Sequence, residues 1–308
     1  MSAVLDRLRG AADVTRFLKL PRSVKETAKG AMAAAFDVSG LSGALHRVQV
    51  ATLSPFIRAV NYHDVAPSAA ASFESHLVYL RERFRPIGYE DLIAFHEGRL
   101  ALDRPGLIVS FDDGLRSHAE VAGPLLERHG IPGWFFVPTG FVDTPPEHHE
   151  AFGRAHRISW SSESGGCPGA MSWDQVRELD RRGHVVGCHT RSHVRLSNAL
   201  GPAELREEIT DSKARLEREL GHPVDVFCWV GGEESSYSEG AARAIREAGY
   251  RVSFMNAKSV IKPSTSLLQL HRCALEASRP LSYVRYRLSG FFDVAYAAQR
   301  HRVNRVTG

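Results

Sequence analysis

The sequence predicts one α/β domain built as a barrel or partial barrel, preceded by a helical N-terminal extension. Three observations predict it. From about residue 56, short apolar runs alternate with amphipathic stretches over roughly 230 residues. The apolar runs carry little period-2 alternation, so the strands they form would be buried on both faces, as in a parallel sheet covered by helices. The chain shows no internal repeat, and 308 residues suffice for one large domain.

Residues 1–50 are rich in Ala, Arg and Leu, and Ala31–Arg47 has apolar spacing broken by Gly40 and Gly43. They read as one or two helices outside the main core, packing on it or resting on a membrane surface. The strand candidates that follow are FIRAVNYH, GLIVSF, GWFFVP, HVVGCH, VDVFCWV, YRVSFM and LLQLHR. Helix candidates lie between them at about 74–84, 117–130, 173–182, 202–220 and 239–249. The clearest has Leu205, Ile209, Leu216 and Leu220 on one face, Pro202 near its start and Gly221 after its end. Residues 143–172, rich in Pro, Gly, Ser and His, break the rhythm and read as a long binding or lid loop. Its His148, His149 and His156 read as solvent-exposed loop residues. The expected division is a helical extension over 1–50, a core over 51–290 and a C-terminal tail over 291–308.

Composition excludes several classes. With 43% hydrophobic and 24% charged residues, the chain is neither disordered, collagenous nor coiled-coil. A net charge of +4 without a dense basic run argues against nucleic acid as a partner. No apolar stretch reaches the roughly 18 residues of a membrane span. The N-terminus does not read as a secretory signal, so a cytoplasmic protein is expected, with peripheral membrane contact through residues 1–50 left open. Cys167, Cys188, Cys228 and Cys273 have no CxxC spacing and read as free thiols, three of them in or beside strands.

Two motifs carry chemistry. Ser110-Phe111-Asp112-Asp113-Gly114 follows the apolar run Leu107-Ile108-Val109. Adjacent carboxylates at the end of a buried strand need compensating charge, which a divalent cation supplies. In extended chain their side chains diverge, so the two acids can hold different roles. His189-Thr190-Arg191-Ser192-His193 follows a second strand-like run. The i, i+4 spacing would place both imidazoles on one face of a helical turn. Active sites of parallel α/β folds gather at the carboxyl ends of strands, where both motifs fall. One Asp and two His make three ligands with positions left open, as in a catalytic metal site.

The FDDG segment, followed about 75 residues later by HTRSH, resembles the first two motifs of the polysaccharide deacetylase family, the NodB-homology fold of carbohydrate esterase family 4. The resemblance covers roughly residues 56–290 and includes Asn61-Tyr62-His63 and Met171-Ser172-Trp173-Asp174-Gln175. It implies an irregular (β/α) barrel in which Asp113, His189 and His193 bind a divalent metal, zinc by preference, with cobalt or another ion as alternatives. Asp112 is then the general base that takes a proton from the water attacking an N-acyl carbonyl. The stretch Phe227-Cys228-Trp229-Val230-Gly231-Gly232 lacks the Arg and Pro of the family's third motif. Trp229 reads either as a sugar-stacking or as a core residue. His271 is the candidate general acid for the leaving amine, and His63 its rival. The implied reaction is metal-dependent removal of an N-acyl group, an N-acetyl first of all, from an amino sugar of a polysaccharide or lipid-linked precursor. The alternatives are a deacylase or deformylase of a small amide, and a catalytically silent carbohydrate-binding barrel.

Overall fold

The computed structural model describes residues 22–163 and 166–308. Residues 1–21 of the expected N-terminal extension lie outside them. The described part of that extension forms the helices Arg22–Val38 and Leu41–Leu53. They pack on the helix Leu281–Arg287, with the Phe36 and Tyr286 rings 4.9 Å apart edge to face and Arg285 bonded to Asp37 at 3.0 Å.

Ten strands make the sheet: β1 (Ile57–Tyr62), β2 (Arg85–Pro86), β3 (Gly106–Phe111), β4 (Gly133–Val137), β5 (Val185–Cys188), β6 (Val226–Cys228), β7 (Val252–Met255), β8 (Val260–Ile261), β9 (Leu270–His271) and β10 (Cys273–Ala274). The order is β10-β1-β3-β4-β5-β6-β7-β9, with every neighbouring pair parallel. β2 adds to β3, and β8 pairs antiparallel with β1. One segment closes the ring: β9 pairs with β7, β10 pairs with β1, and only Arg272 lies between β9 and β10. The product is an irregular (β/α) barrel. All seven strand-like runs of the sequence lie in it, and the five helix candidates form at or near the expected positions.

Side chains alternate between two apolar layers, as a strand's geometry requires. Ile57, Ala59, Ile108, Trp134, Phe136, Val226, Phe254 and Leu270 share one cluster. Val60, Tyr62, Val109, Phe111, Phe135, Val137 and Cys273, the alternate residues of the same pleats, join the layer that meets the helices. The strands therefore read as continuous apolar runs because both faces are covered. Trp229 is 1% exposed and donates its indole N–H to Ser253 Oγ at 2.9 Å, so it belongs to the interior and offers no ring for stacking. All four cysteines are unpaired; three are buried and Cys167 is partly so.

Two stretches are more ordered than the sequence suggests. Residues 143–172 contain the helix His149–His156 and are tied to the barrel, because Asp64 Oδ2 accepts from the Ser161 N–H at 2.6 Å and Glu163 accepts from Ser68. His149 is buried rather than exposed, with its ring bonded to Thr144 and Ala170. The expected tail, 291–308, forms the helices Phe291–Ala295 and Ala297–Thr307 and lies against the barrel mouth. Gln299 donates to Gly232 O at 2.9 Å, and Arg300 to Lys258 O at 2.6 Å. Among the described residues no helix is long and apolar enough to cross a membrane.

Candidate active site

The carboxyl ends of β1, β3, β5 and β6 surround a cavity of about 590 Å³. Asp112 and Asp113 leave β3 in different directions. Asp113 has φ 79°, and Gly114 continues the turn at φ 62°. A Cβ at Gly114 would meet Pro138 at 3.1 Å, so space and conformation both call for glycine there.

Asp113 Oδ1 lies 3.1 Å from His193 Nε2 and 3.7 Å from His189 Nε2, and all three residues are largely buried. His189 Nδ1 is 2.9 Å from Cys228 O, and His193 Nδ1 is 2.7 Å from His156 O. A carbonyl only accepts, so each Nδ1 carries the proton and each neutral ring turns a lone pair at Nε2 toward Asp113. Asp113 Oδ1 is buried and has no hydrogen-bond donor. Three lone pairs converging on one point without a proton between them fit a divalent cation. With no ion between the donors, the titration directions show how strongly the group draws positive charge. Burial would lower His193, yet the Asp113 carboxylate raises it. Burial would raise Asp113, yet the two imidazoles hold it well below the carboxylate range.

The His189–His193 segment is not the helical turn that the spacing suggested. Thr190 and His193 take φ of 65° and 54°. Glu208 Oε2 accepts from the Arg191 and Ser192 N–H groups at 2.9 Å each, so these donors are satisfied by a side chain instead of a helix. The rings still converge, with centroids 5.2 Å apart. Such non-glycine left-handed residues are disfavoured and concentrate where a site must be held in shape.

Asp112 faces the barrel interior and meets Arg272, which is fully buried. Arg272 Nη1 donates to Asp112 Oδ1 at 2.6 Å, and Nη2 to Oδ2 at 2.8 Å, a bidentate pair. Burial would raise the Asp112 pKa, but Arg272 and His189 bring it below the ordinary value. Asn61 adds a contact at 3.4 Å. Asp112, His189 and Cys228 form a second conceivable metal group, which fits poorly. The Arg272 guanidinium already compensates Asp112 and touches Cys228 Sγ at 3.0 Å, and burial pushes the Cys228 thiol well above its usual pKa.

The structure brings Asp112, Asp113, His189 and His193 to one cavity and leaves His271 out. His271 is 2% exposed, its Nδ1 accepts from the Ala257 N–H at 3.1 Å, and its Nε2 is 2.7 Å from Asn304 Oδ1. Burial lowers its pKa to about 4. Both ring nitrogens are engaged, and the residue faces away from the cavity. His63 does line the cavity; it is half exposed, and its Nε2 stands 4.0 Å from Asp112 Oδ2. Arg272, Glu208, Lys258, Tyr296 and Gln299 are site residues that no motif announced. Arg272 directly follows His271, the residue expected as general acid.

A buried Asp/His/His group at the carboxyl ends of parallel barrel strands, with a second ionised carboxylate beside it, is the arrangement of a hydrolase. The polysaccharide deacetylase family model matches residues 101–253. The chain thus carries a polysaccharide deacetylase domain of the NodB type, a class of hydrolases acting on carbon–nitrogen bonds other than peptide bonds. It is 22% identical over 222 residues to YxkH of Bacillus subtilis (strain 168), a protein with a provisional polysaccharide deacetylase name, covering 68% of each chain. It is 24% identical over 233 residues to the poly-beta-1,6-N-acetyl-D-glucosamine N-deacetylase of Escherichia coli (strain K12), covering 64% of this chain and 33% of that one. Among solved structures, the Streptococcus pyogenes deacetylase PplD in complex with acetate superposes with TM-score 0.60 at 17% identity, over 76% of this chain and 98% of that one. IcaB from Ammonifex degensii gives 0.59 at 24%, over 77% and 97%. At such identities the structural likeness speaks for the fold.

Proposed function

We propose that this chain removes an N-acyl group, an N-acetyl first of all, from an amino sugar within a glycan, with a divalent metal held by Asp113, His189 and His193. The observation that carries the reading is the convergence of three unprotonated donors beside an ionised, separately compensated Asp112. A divalent ion bound there supplies Lewis-acid chemistry, acidifying water and polarising a carbonyl oxygen. The donor set suits zinc and also cobalt or other divalent ions.

The chain's own residues do the rest. Asp112 accepts the proton of the attacking water. Its link to Arg272 fixes the carboxylate's orientation and keeps it ionised, so it is available as a base at neutral pH. His63, half exposed in the cavity and close to Asp112, is positioned to return a proton to the departing amine. His271, closed off on both nitrogens, takes no part.

The name of the E. coli relative, of which this chain spans about a third, supports poly-N-acetylglucosamine as one candidate substrate. A polymeric or oligomeric glycan is favoured over a small amide by the shape of the cleft. A second cavity of about 770 Å³ shares Ser159 with the first and is lined by Arg116, Pro146, His149, Arg154 and Trp160 among others. A chain of sugars would run along both. A lipid-linked sugar is consistent with the exposed Val38, Leu41 and Val48 on the N-terminal helices, and flotation with liposomes tests that membrane contact. The function itself is tested by incubating metal-loaded protein with N-acetylated oligosaccharides and measuring released acetate together with product mass. Loss of 42 mass units per cleaved group is the expected result, the ordinary consequence of replacing acetyl by hydrogen. Unchanged glycans across neutral and acidic panels contradict it.

A further inference from the structure

Five non-glycine residues of the described chain have left-handed backbone: Asp113, Arg157, Thr190, His193 and Lys258. Three of them shape the metal group. The other two, Arg157 at φ 62° and Lys258 at φ 41°, line the same cavity from separate segments, the 143–172 insertion and the loop after β7. Residues with a Cβ avoid this conformation unless the surroundings impose it.

The charges around these two cations are unequal. Arg195 pairs with Glu233 at 3.2 Å, Asp112 pairs with Arg272, and Asp113 faces the two imidazoles. Among the described residues no carboxylate pairs with Arg157 or Lys258. Arg157 is exposed at the rim. The Lys258 ammonium lies 3.7 Å from the centre of the Tyr296 ring, and its nearest polar partner is Asn256 O at 3.5 Å. The carboxylates of the cavity are thus already engaged, and two held cations remain.

We infer that the glycan is acidic: a carboxylate or phosphate on or next to the N-acylated sugar is bound by Arg157 and Lys258. This rests on the deacetylase reading and names its substrate class. Guanidinium and ammonium groups are the usual partners of both anions. Burial already pulls Lys258 below the usual lysine range, and an incoming anion favours its charged form.

The experiment compares a neutral probe, N-acetylchitotetraose, with a tetrasaccharide alternating glucuronate and N-acetylglucosamine, and with UDP-N-acetylglucosamine. The second carries carboxylate and the third phosphate, so the two arms separate the sources of charge. Acetate release is followed in the wild-type chain, in Arg157→Asn, in Lys258→Asn and in the double variant. Asparagine tolerates left-handed backbone and so preserves the local fold. In wild type, kcat/KM for at least one acidic probe exceeds that of the neutral one by about tenfold at low salt, and the ratio shrinks as salt rises. Each variant lowers the ratio, chiefly through KM, and the double variant brings it near one. An equal wild-type ratio, or a ratio that survives the double substitution, overturns the inference. Binding of the same probes by calorimetry decides the matter even without turnover. Tighter binding of an acidic probe that is lost in the double variant supports the inference, and equal binding refutes it. Absent acetate release then counts against the deacetylase reading alone.

Discussion

The two walls of the cavity were written into the sequence in different ways. One wall is made of Asp112, Asp113, His189 and His193, each beside the end of a strand in a contiguous motif. The facing residues Lys258, Tyr296 and Gln299, and Arg272 buried behind Asp112, come from a loop, the C-terminal stretch and the barrel-closing segment, with no shared motif. The comparison teaches that reaction chemistry is local in sequence, while orientation and specificity are assembled by the fold.

Substitutions should separate the walls, beginning with the largest effect. His189→Ala and His193→Ala each remove one of three converging donors. Both are expected to lose metal and activity together, checked by elemental analysis and acetate release, with the fold verified by circular dichroism. Equal metal in wild type and both variants would break the ligand assignment.

Arg272 gives the second effect. Arg272→Met leaves Asp112 buried without a countercharge, a loss on the order of 3–5 kcal/mol for a buried pair. Denaturant titration should show it, and Arg272→Lys should recover only part because one ammonium cannot make the bidentate pair. Full stability in Arg272→Met would mean that the facing residues do not hold the base.

A third effect concerns histidines outside the metal group. His118 and His271 are buried, and each is lowered from 6.5 to about 4 by burial. In the unfolded chain they take up protons first, so between about 6.5 and 4 the unfolded state binds more protons. Their contribution is fully present above 6.5 and is lost as pH falls through that window, at most about 3 kcal/mol for each. Unfolding free energy measured against pH should fall in that range, and His271→Gln should flatten the fall. The same variant should leave kcat nearly unchanged, since His271 does not reach the cavity. A large loss of kcat with metal and stability intact would return His271 to the general-acid role.

The smallest effect is expected at the N-terminus. Buried Arg58 bonds Asp293 at 2.7 Å and Gln49 at 3.0 Å, tying the helix Leu41–Leu53 to the first strand and to the C-terminal helices. A chain beginning at Ala51 loses the Gln49 bond, about 1 kcal/mol, together with its helix packing. It should keep its metal if it folds. Loss of metal in that folded chain would show that the extension supports the site directly.

Much of the fold was legible because parallel barrel strands are covered on both faces and so read as apolar runs. The convergence of the two motifs on one cavity was legible because each places its acids or imidazoles within five consecutive residues. The failure at Leu270-His271-Arg272 is a matter of strand parity. Leu270 belongs to the interior layer, as does the direction of Arg272, while His271 and Cys273 point to the helices. Sequence chemistry favoured the histidine; the pleat turned its neighbour toward Asp112. The helical turn expected at His189–His193 failed because Glu208, distant in sequence, captures two backbone donors. Tyr296 and Gln299 stood in a stretch without motif or periodicity, and only the fold of the C-terminal helix brings them to the cavity.

The central claim is that Asp112 and Asp113, adjacent in sequence and both buried, divide base and ligand between them. The measurement is bound metal and kcat for Asp112→Asn and Asp113→Asn side by side. Asp112→Asn should retain its metal and lose roughly 10²–10⁴ in rate, the worth of a general base. Asp113→Asn should lose metal first and regain part of its rate in excess metal. Metal loss in Asp112→Asn, or near-full activity in that variant, would contradict the account.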